Sequence, residues 1–200
     1  MADDQLVSSA FNPKCTTGGM ARSTTGGQIV GELVDPRRTE PPYELAERPM
    51  LEAWLEFHRA TLQLKCEGLD AARLAARPVP TSALSLHGLV RHLADVERGW
   101  FTRTLLRAPD TRPLFYDPAV EDSGMMPLHG ADATADLTTW HEECERSRQH
   151  AARFDLDDTG LRDGQECSLR WIYTHMIEEY ARHNGHADLL RELVDGAVGW

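Results

Sequence analysis

From Leu169 to Leu193 the chain steps by three and four through Leu169, Ile172, Met176, Glu179, His183, His186, Leu190 and Leu193. That spacing is one face of an α-helix of about seven turns. Ser168 stands where an N-cap belongs and Gly196 where a left-handed stop belongs, which bounds the helix near Val194. The outer members of the seam are ordinary core residues, but its three central members are a carboxylate and two imidazoles. At 100° per residue, Glu179, His183 and His186 fall within roughly 60° of one another. A carboxylate on a buried seam is costly unless something pairs with it, so this helix must face a partner that offers compensation.

Three more helices are expected. Pro49 suits a first helical turn, and Met50, Trp54, Phe57, Thr61 and Leu64 form a stripe over about Pro49–Leu69. After a break at Pro78-x-Pro80, Leu86, Leu89, Leu93, Val96 and Trp100 mark a second helix over about Ser82–Arg107. A turn-rich stretch from Ala108 to about Gly130 leads to a third, about Asp132–Phe154, with Leu137, Trp140, Cys144 and Ala151 inward. Asp155 to Cys167 is expected to be a polar connection, and no strand is expected anywhere. Four amphipathic helices of this length make an all-α, four-helix bundle over residues 46–198.

Residues 1–45 differ. They are rich in Gly, Thr, Ser and Pro, repeat Thr-Thr-Gly-Gly at 16–19 and 24–27, and lack apolar periodicity, so a disordered N-terminal tail is expected. The tail starts with neither the basic residues nor the apolar run of a secretory signal, and no apolar run approaches the roughly 18 residues of a membrane span. A soluble, cytoplasmic chain without membrane partners is expected. With 21 basic against 32 acidic residues the net charge is −11, which sets the surface against a nucleic-acid backbone. Cys15, Cys66, Cys144 and Cys167 are widely separated, without a Cys-x-x-Cys pair, so neither a disulfide framework nor a thiolate zinc knuckle is expected.

The matching ligand for the seam lies on the second helix. His92 sits between Leu89 and Val96, on the apolar stripe. With Glu179 and His183, an i, i+4 pair, it completes a His₂Glu set, and three protein ligands leave a divalent metal open to water or substrate. A hydrogen-bonded core histidine and a helix ion pair are the alternative account of the same residues.

The block Ser85–Glu97 (SLHGLVRHLADVE) and the block His175–Glu192 (HMIEEYARHNGHADLLRE) resemble the DinB superfamily, and more narrowly its mycothiol-transferase branch, over about residues 40–198. The resemblance implies a bundle of up-down-down-up topology, often a homodimer, with a divalent metal on three side chains. The common pattern there is one histidine on the second helix and a His-x-x-x-His pair on the last. Here Glu179 stands at the first of that pair, as in the mycothiol-dependent maleylpyruvate isomerases, which use His, Glu and His. His186 falls where the common pattern has Gln, as a fourth ligand or a group behind the ligands.

What the resemblance implies for function is a metal-dependent thiol S-transferase that joins mycothiol to a small electrophile. The metal site comprises His92, Glu179 and His183, with no catalytic residue beyond it. Zinc is the expected ion, with nickel and iron as other candidates, since imidazole and carboxylate suit all three. Asp95 is a candidate to orient His92, and Arg91 and Arg182 are candidates to bind the thiol. Two alternatives stand beside this reading: a mycothiol-dependent isomerase that regenerates its thiol, and a non-catalytic metal-binding bundle.

Overall fold

Ser168 and Gly196 bracket the longest helix as the sequence predicts. In the computed structural model, which describes residues 37–120, 123–125 and 131–199, the Ser168 hydroxyl accepts the Trp171 N–H at 3.2 Å and Gly196 takes φ +76°. The elements in chain order are α1 (Glu47–Cys66), a single turn α2 (Ala71–Leu74), α3 (Leu86–Glu97), α4 (Ala133–Ala151), a hairpin of β1 (Thr159–Arg162) and β2 (Gln165–Ser168), and α5 (Leu169–Asp195). The tail expected over 1–45 lies outside the described residues as far as residue 36.

Side-chain pairs fix the helix directions. Arg170 at the head of α5 bonds Glu47 at the head of α1 (2.6 Å), and Lys65 near the end of α1 pairs with Asp188 toward the end of α5 (2.6 Å), so these two run parallel. His87 pairs with Asp136 near the starts of α3 and α4 (2.7 Å), and Arg98 with Glu143 farther along (3.0 Å), so these two are also parallel. Trp100, just past α3, meets Trp171 at the head of α5 with ring centroids 5.1 Å apart, so α3 opposes α5. The result is the expected up-down-down-up bundle.

Three expectations need correction. The second helix starts at Leu86 rather than Ser82, because Ser85 is its cap, accepting the Gly88 N–H at 3.0 Å. Beyond Glu97 it widens into a π-helical segment, Arg98–Thr104, closed by i→i+5 bonds such as Leu105 N–H to the Trp100 carbonyl (2.9 Å). The polar connection over 155–167 contains the β1–β2 hairpin. Its two-residue turn, Asp163-Gly164, has φ of +49° and +83°, the conformation that makes Asp-Gly a hairpin signal.

The core gathers Leu55, Leu62, Leu89, Leu93, Phe101, Trp140, Ile172 and Met176. On α1 the deepest positions are Leu55 and Leu62, beside the expected stripe rather than on it, because the charged Arg59 occupies the middle of the inward face. It is held there by Glu97, which is itself fully buried. On α5 the true seam runs through Tyr180, Ala187 and Leu190, and Leu193 lies outside it, 58% exposed, since the face has rotated past it by the last turn. Among the described residues no helix is long and apolar enough to cross a membrane.

Candidate functional site

The antiparallel crossing of α3 and α5 brings His92 against Glu179 and His183. Glu179 Oε2 lies 3.7 Å from His92 Nε2 and 3.4 Å from His183 Nε2, and the two imidazole rings stand edge to face with centroids 4.6 Å apart. One ligand atom from each of the three residues falls within 4.8 Å of the others. These separations exceed the 2.7–3.2 Å of a direct N–H···O bond. They match the roughly 3.4 Å between donors that each sit about 2.0–2.1 Å from one tetrahedral ion. The donor set of two imidazoles and a carboxylate, half-buried and spaced in this way, fits a divalent cation.

Electrostatics prepare the carboxylate for that role. The His183 and His92 imidazoles hold the Glu179 carboxyl well below the usual range, with the charge of His175 adding to them and partial burial opposing. Glu179 therefore presents acceptor oxygens only. His175 approaches its other oxygen, Nε2 to Oε1 at 3.5 Å, while stacked on Trp171 (5.0 Å, 15° between planes) and edge-on to Trp100 (4.6 Å). The sequence places His175 on the flank of the seam, and that is where it lies, yet it touches the site.

The remaining candidates take different positions. His186 Nδ1 lies 3.3 Å from His183 Nδ1, so it stands behind His183 and is not one of the clustered three. Burial and the neighbouring His183 push its pKa below the ordinary histidine value. Asp95 does not orient His92. Its carboxylate accepts the backbone N–H groups of Phe115 (3.1 Å) and Tyr116 (2.8 Å), as well as that of Leu114, and so pins a loop beside the site. Arg91 is buried, bonded to Asp136 at 2.9 Å and stacked over Phe115 with its guanidinium carbon 4.3 Å from the ring centre. Arg182 points outward and pairs with Glu178. Neither arginine borders the space in front of the donor set.

That space is a cleft of about 820 Å³, with His92, His175 and Glu179 on one wall. The π-helical segment forms a second wall, the loop around Arg112 and Tyr116 a third, and the hairpin tip at Arg162–Gly164 a fourth. His183 closes the donor set from the buried side. The open coordination positions of an ion held there would face the cleft. A volume of this size falls within the roughly 300–1,000 Å³ typical of small-molecule sites.

Sequence reasoning missed the cleft's positive walls. Arg98, Arg103, Arg107, Arg112 and Arg162 all border it. The one local signal was Asp163-Gly164, which marks the hairpin carrying Arg162; periodicity gives no sign of a π-helical segment.

A family model described as mycothiol-S-transferase matches residues 50–196, all of the helical bundle but the first three residues of α1. No curated protein matches the chain.

Proposed function

Because the chain belongs to the mycothiol-S-transferase family, we propose that it joins mycothiol through its sulfur to a small electrophile, at a divalent cation held by His92, Glu179 and His183. The functional unit is the bundle over residues 46–198. The observation that carries the reading is the His₂Glu set, spaced for one ion and opening onto an 820 Å³ cleft. A divalent cation bound there would lower the pKa of a coordinating thiol and favour its nucleophilic thiolate. Zinc is the first expectation, with nickel and iron next.

The side chains divide the remaining work. Glu179 supplies the charge that offsets a cation. His186, through its contact with His183 Nδ1, leaves His183 Nε2 turned toward Glu179. Asp95 holds the loop wall at Leu114–Tyr116 in place. Trp100 and Trp171 pack on His175, and Trp100 gives the cleft an apolar side next to the donor set. In the overall reaction a sulfur–carbon bond forms, the leaving group departs with its electron pair, and the thiol proton passes to solvent.

The test is metal analysis of untagged protein by plasma mass spectrometry, beside Glu179→Ala and His183→Ala. About one ion per chain is expected in the parent and little in either variant. Metal-free parent protein of full stability, even after dialysis against zinc and nickel, would sink the metal reading and leave the Glu–His cluster as a structural network. Stoichiometric consumption of mycothiol separates transfer from the isomerase, which regenerates its thiol.

A further inference from the structure

A chain of net charge −11 has five arginines around one cleft. Their arrangement is informative because two of the cleft's three acids are already engaged. Asp95 is bonded to three backbone N–H groups, Glu179 faces the imidazoles, and Asp163 sits in the hairpin turn with its side chain 81% exposed. Two of the arginines are engaged too: Arg98 with Glu143 (3.0 Å), and Arg107 with Glu166 (2.9 Å) and Thr159. Arg162 lies over the Trp100 ring, 4.0 Å from its centre, with its nearest carboxylate oxygen 3.8 Å away on Asp163. Among the described residues, Arg103 and Arg112 have neither an ion-pair nor a side-chain hydrogen-bond partner.

Of the five, Arg103 and Arg112 are left without a counter-charge, and an excess of one sign of charge around a cleft concentrates the opposite sign. Mycothiol leaves this charge unused, since its sugar and inositol carry hydroxyls and no carboxylate. An anionic second substrate would use it. We infer that the electrophile is an anion, a small carboxylate-bearing molecule whose carboxylate docks on Arg103 and Arg112 while its reactive carbon faces the His92–Glu179 wall. A planar guanidinium fork is the side chain best matched to a carboxylate. The π-helical segment carries Arg103, the loop pinned by Asp95 carries Arg112, and Arg162 over Trp100 extends the positive wall. This inference rests on the transferase reading for its second substrate, though not for the existence of the anion site.

Two measurements on the full chain separate the claims. The first is calorimetric titration with succinate and with the isosteric neutral succinamide. Succinate should bind and succinamide should not. Arg103→Gln/Arg112→Gln should weaken succinate by roughly tenfold to a hundredfold, the range of charge-assisted bonds. Arg73→Gln/Arg77→Gln, which removes the same charge away from the cleft, should leave binding unchanged. The second compares mycothiol transfer to bromoacetate and to bromoacetamide, each relative to its uncatalysed rate. In both, the sulfur–carbon bond replaces carbon–bromine, bromide leaves with the electron pair and the thiol proton goes to buffer.

Acceleration should be greater for bromoacetate. The cleft double variant should erase that preference by raising KM for bromoacetate alone. Absent succinate binding, or equal binding of succinate and succinamide, overturns the anion site. Equal acceleration of both electrophiles overturns the substrate assignment while leaving the transferase reading intact. Selective succinate binding without transfer to either electrophile keeps the anion site and counts against the transferase reading.

Discussion

The Arg59 guanidinium makes two parallel bonds to the Glu97 carboxylate in the middle of the bundle, Nε to Oε1 at 2.8 Å and Nη2 to Oε2 at 2.6 Å. Tyr180 donates its hydroxyl to the same Oε1 at 2.7 Å and accepts the Trp140 indole N–H at 2.9 Å. The network thus joins all four long helices through groups taken wholly out of water. Arg59 has a second partner in Glu56 (2.6 Å), but removing Arg59 strands Glu97 as a buried charge, a loss of about 3–5 kcal/mol, whereas replacing both with apolar residues is often near neutral. Arg59→Met, which leaves the buried Glu97 carboxylate without a cation, should therefore be far more destabilising than Arg59→Met/Glu97→Leu in urea denaturation. Tyr180→Phe, which removes one hydroxyl, should cost about 1–3 kcal/mol.

His186 acts on the proposed ion only through His183, which sets its expected phenotype apart from that of the ligands. Groups that orient a metal-bound imidazole are typically worth 10–100-fold in affinity. His186→Ala should retain the ion but give it up to a chelator at roughly 10–100-fold lower concentration. His92→Ala, Glu179→Ala and His183→Ala should lose it during purification. Loss as complete in His186→Ala as in the other three would make His186 a fourth ligand.

Glu179 also gives the metal-free protein a predictable acid limb. Its carboxyl is held below the ordinary range by His183 and His92. A depressed carboxyl contributes stability that is fully present above the unfolded-state value, near 4.3, and is lost as the pH falls through the lower folded-state value. In chelator-treated protein, the gap in urea midpoint between the parent and Glu179→Gln should shrink as the pH falls below about 4. A gap unchanged down to pH 3 would mean that the imidazoles do not hold this carboxylate.

The helices were legible because several independent signals coincide at their ends. Asp132 caps α4, Ser168 caps α5, Gly196 stops it, and the apolar spacing agrees with all three. The donor set was legible for the same reason: Glu179 and His183 interrupt an apolar seam, and His92 interrupts the stripe facing it. Arg59, Glu97 and Tyr180 were not. A count of apolar periodicity discards Arg59 and Glu97 as charged and gives no sign of a hydroxyl partner for Tyr180, although each is buried by its partners on other helices. Asp95 shows the limit of spacing arguments, since its place three residues from His92 says nothing of a loop returning from Leu114–Tyr116. The arginine cleft is assembled from the π-helical segment, a loop and a hairpin, and no local pattern announces that they meet.

The two buried cysteines, Cys66 and Cys144, should be silent in the folded bundle. Burial pushes the Cys66 thiol up to about 12, and burial together with Glu97 pushes Cys144 higher still. Cys167, in the hairpin, is raised less and is more accessible. Among these three, iodoacetamide at pH 8 should label Cys167 first, and Cys66 and Cys144 only after denaturant is added, as read by peptide mass mapping. Cys66→Ala and Cys144→Ala should leave mycothiol transfer intact. A loss of transfer at full folding would place a nucleophile on the chain itself.

Gly160 carries the hairpin against the bundle, and with it one wall of the cleft. A Cβ there would stand 2.5 Å from the Thr104 carbonyl oxygen and 2.7 Å from the Leu105 Cα, both backbone atoms at the end of the π-helical segment. Neither can rotate away, so in Gly160→Ala the hairpin must lift. Overpacking of this kind costs about 1–3 kcal/mol. Because Arg162 rides on β1 and lies over Trp100, lifting should also change the Trp100 environment and weaken succinate binding. Gly164→Ala is the informative comparison. Its φ of +83° strains any side chain, yet a Cβ there would meet no described atom within 4 Å, so the strain stays in the turn. It should lower stability while leaving tryptophan fluorescence and anion binding near those of the parent. If both variants behave alike, the hairpin is not held in place at Gly160, and the cleft's fourth wall depends on some other contact.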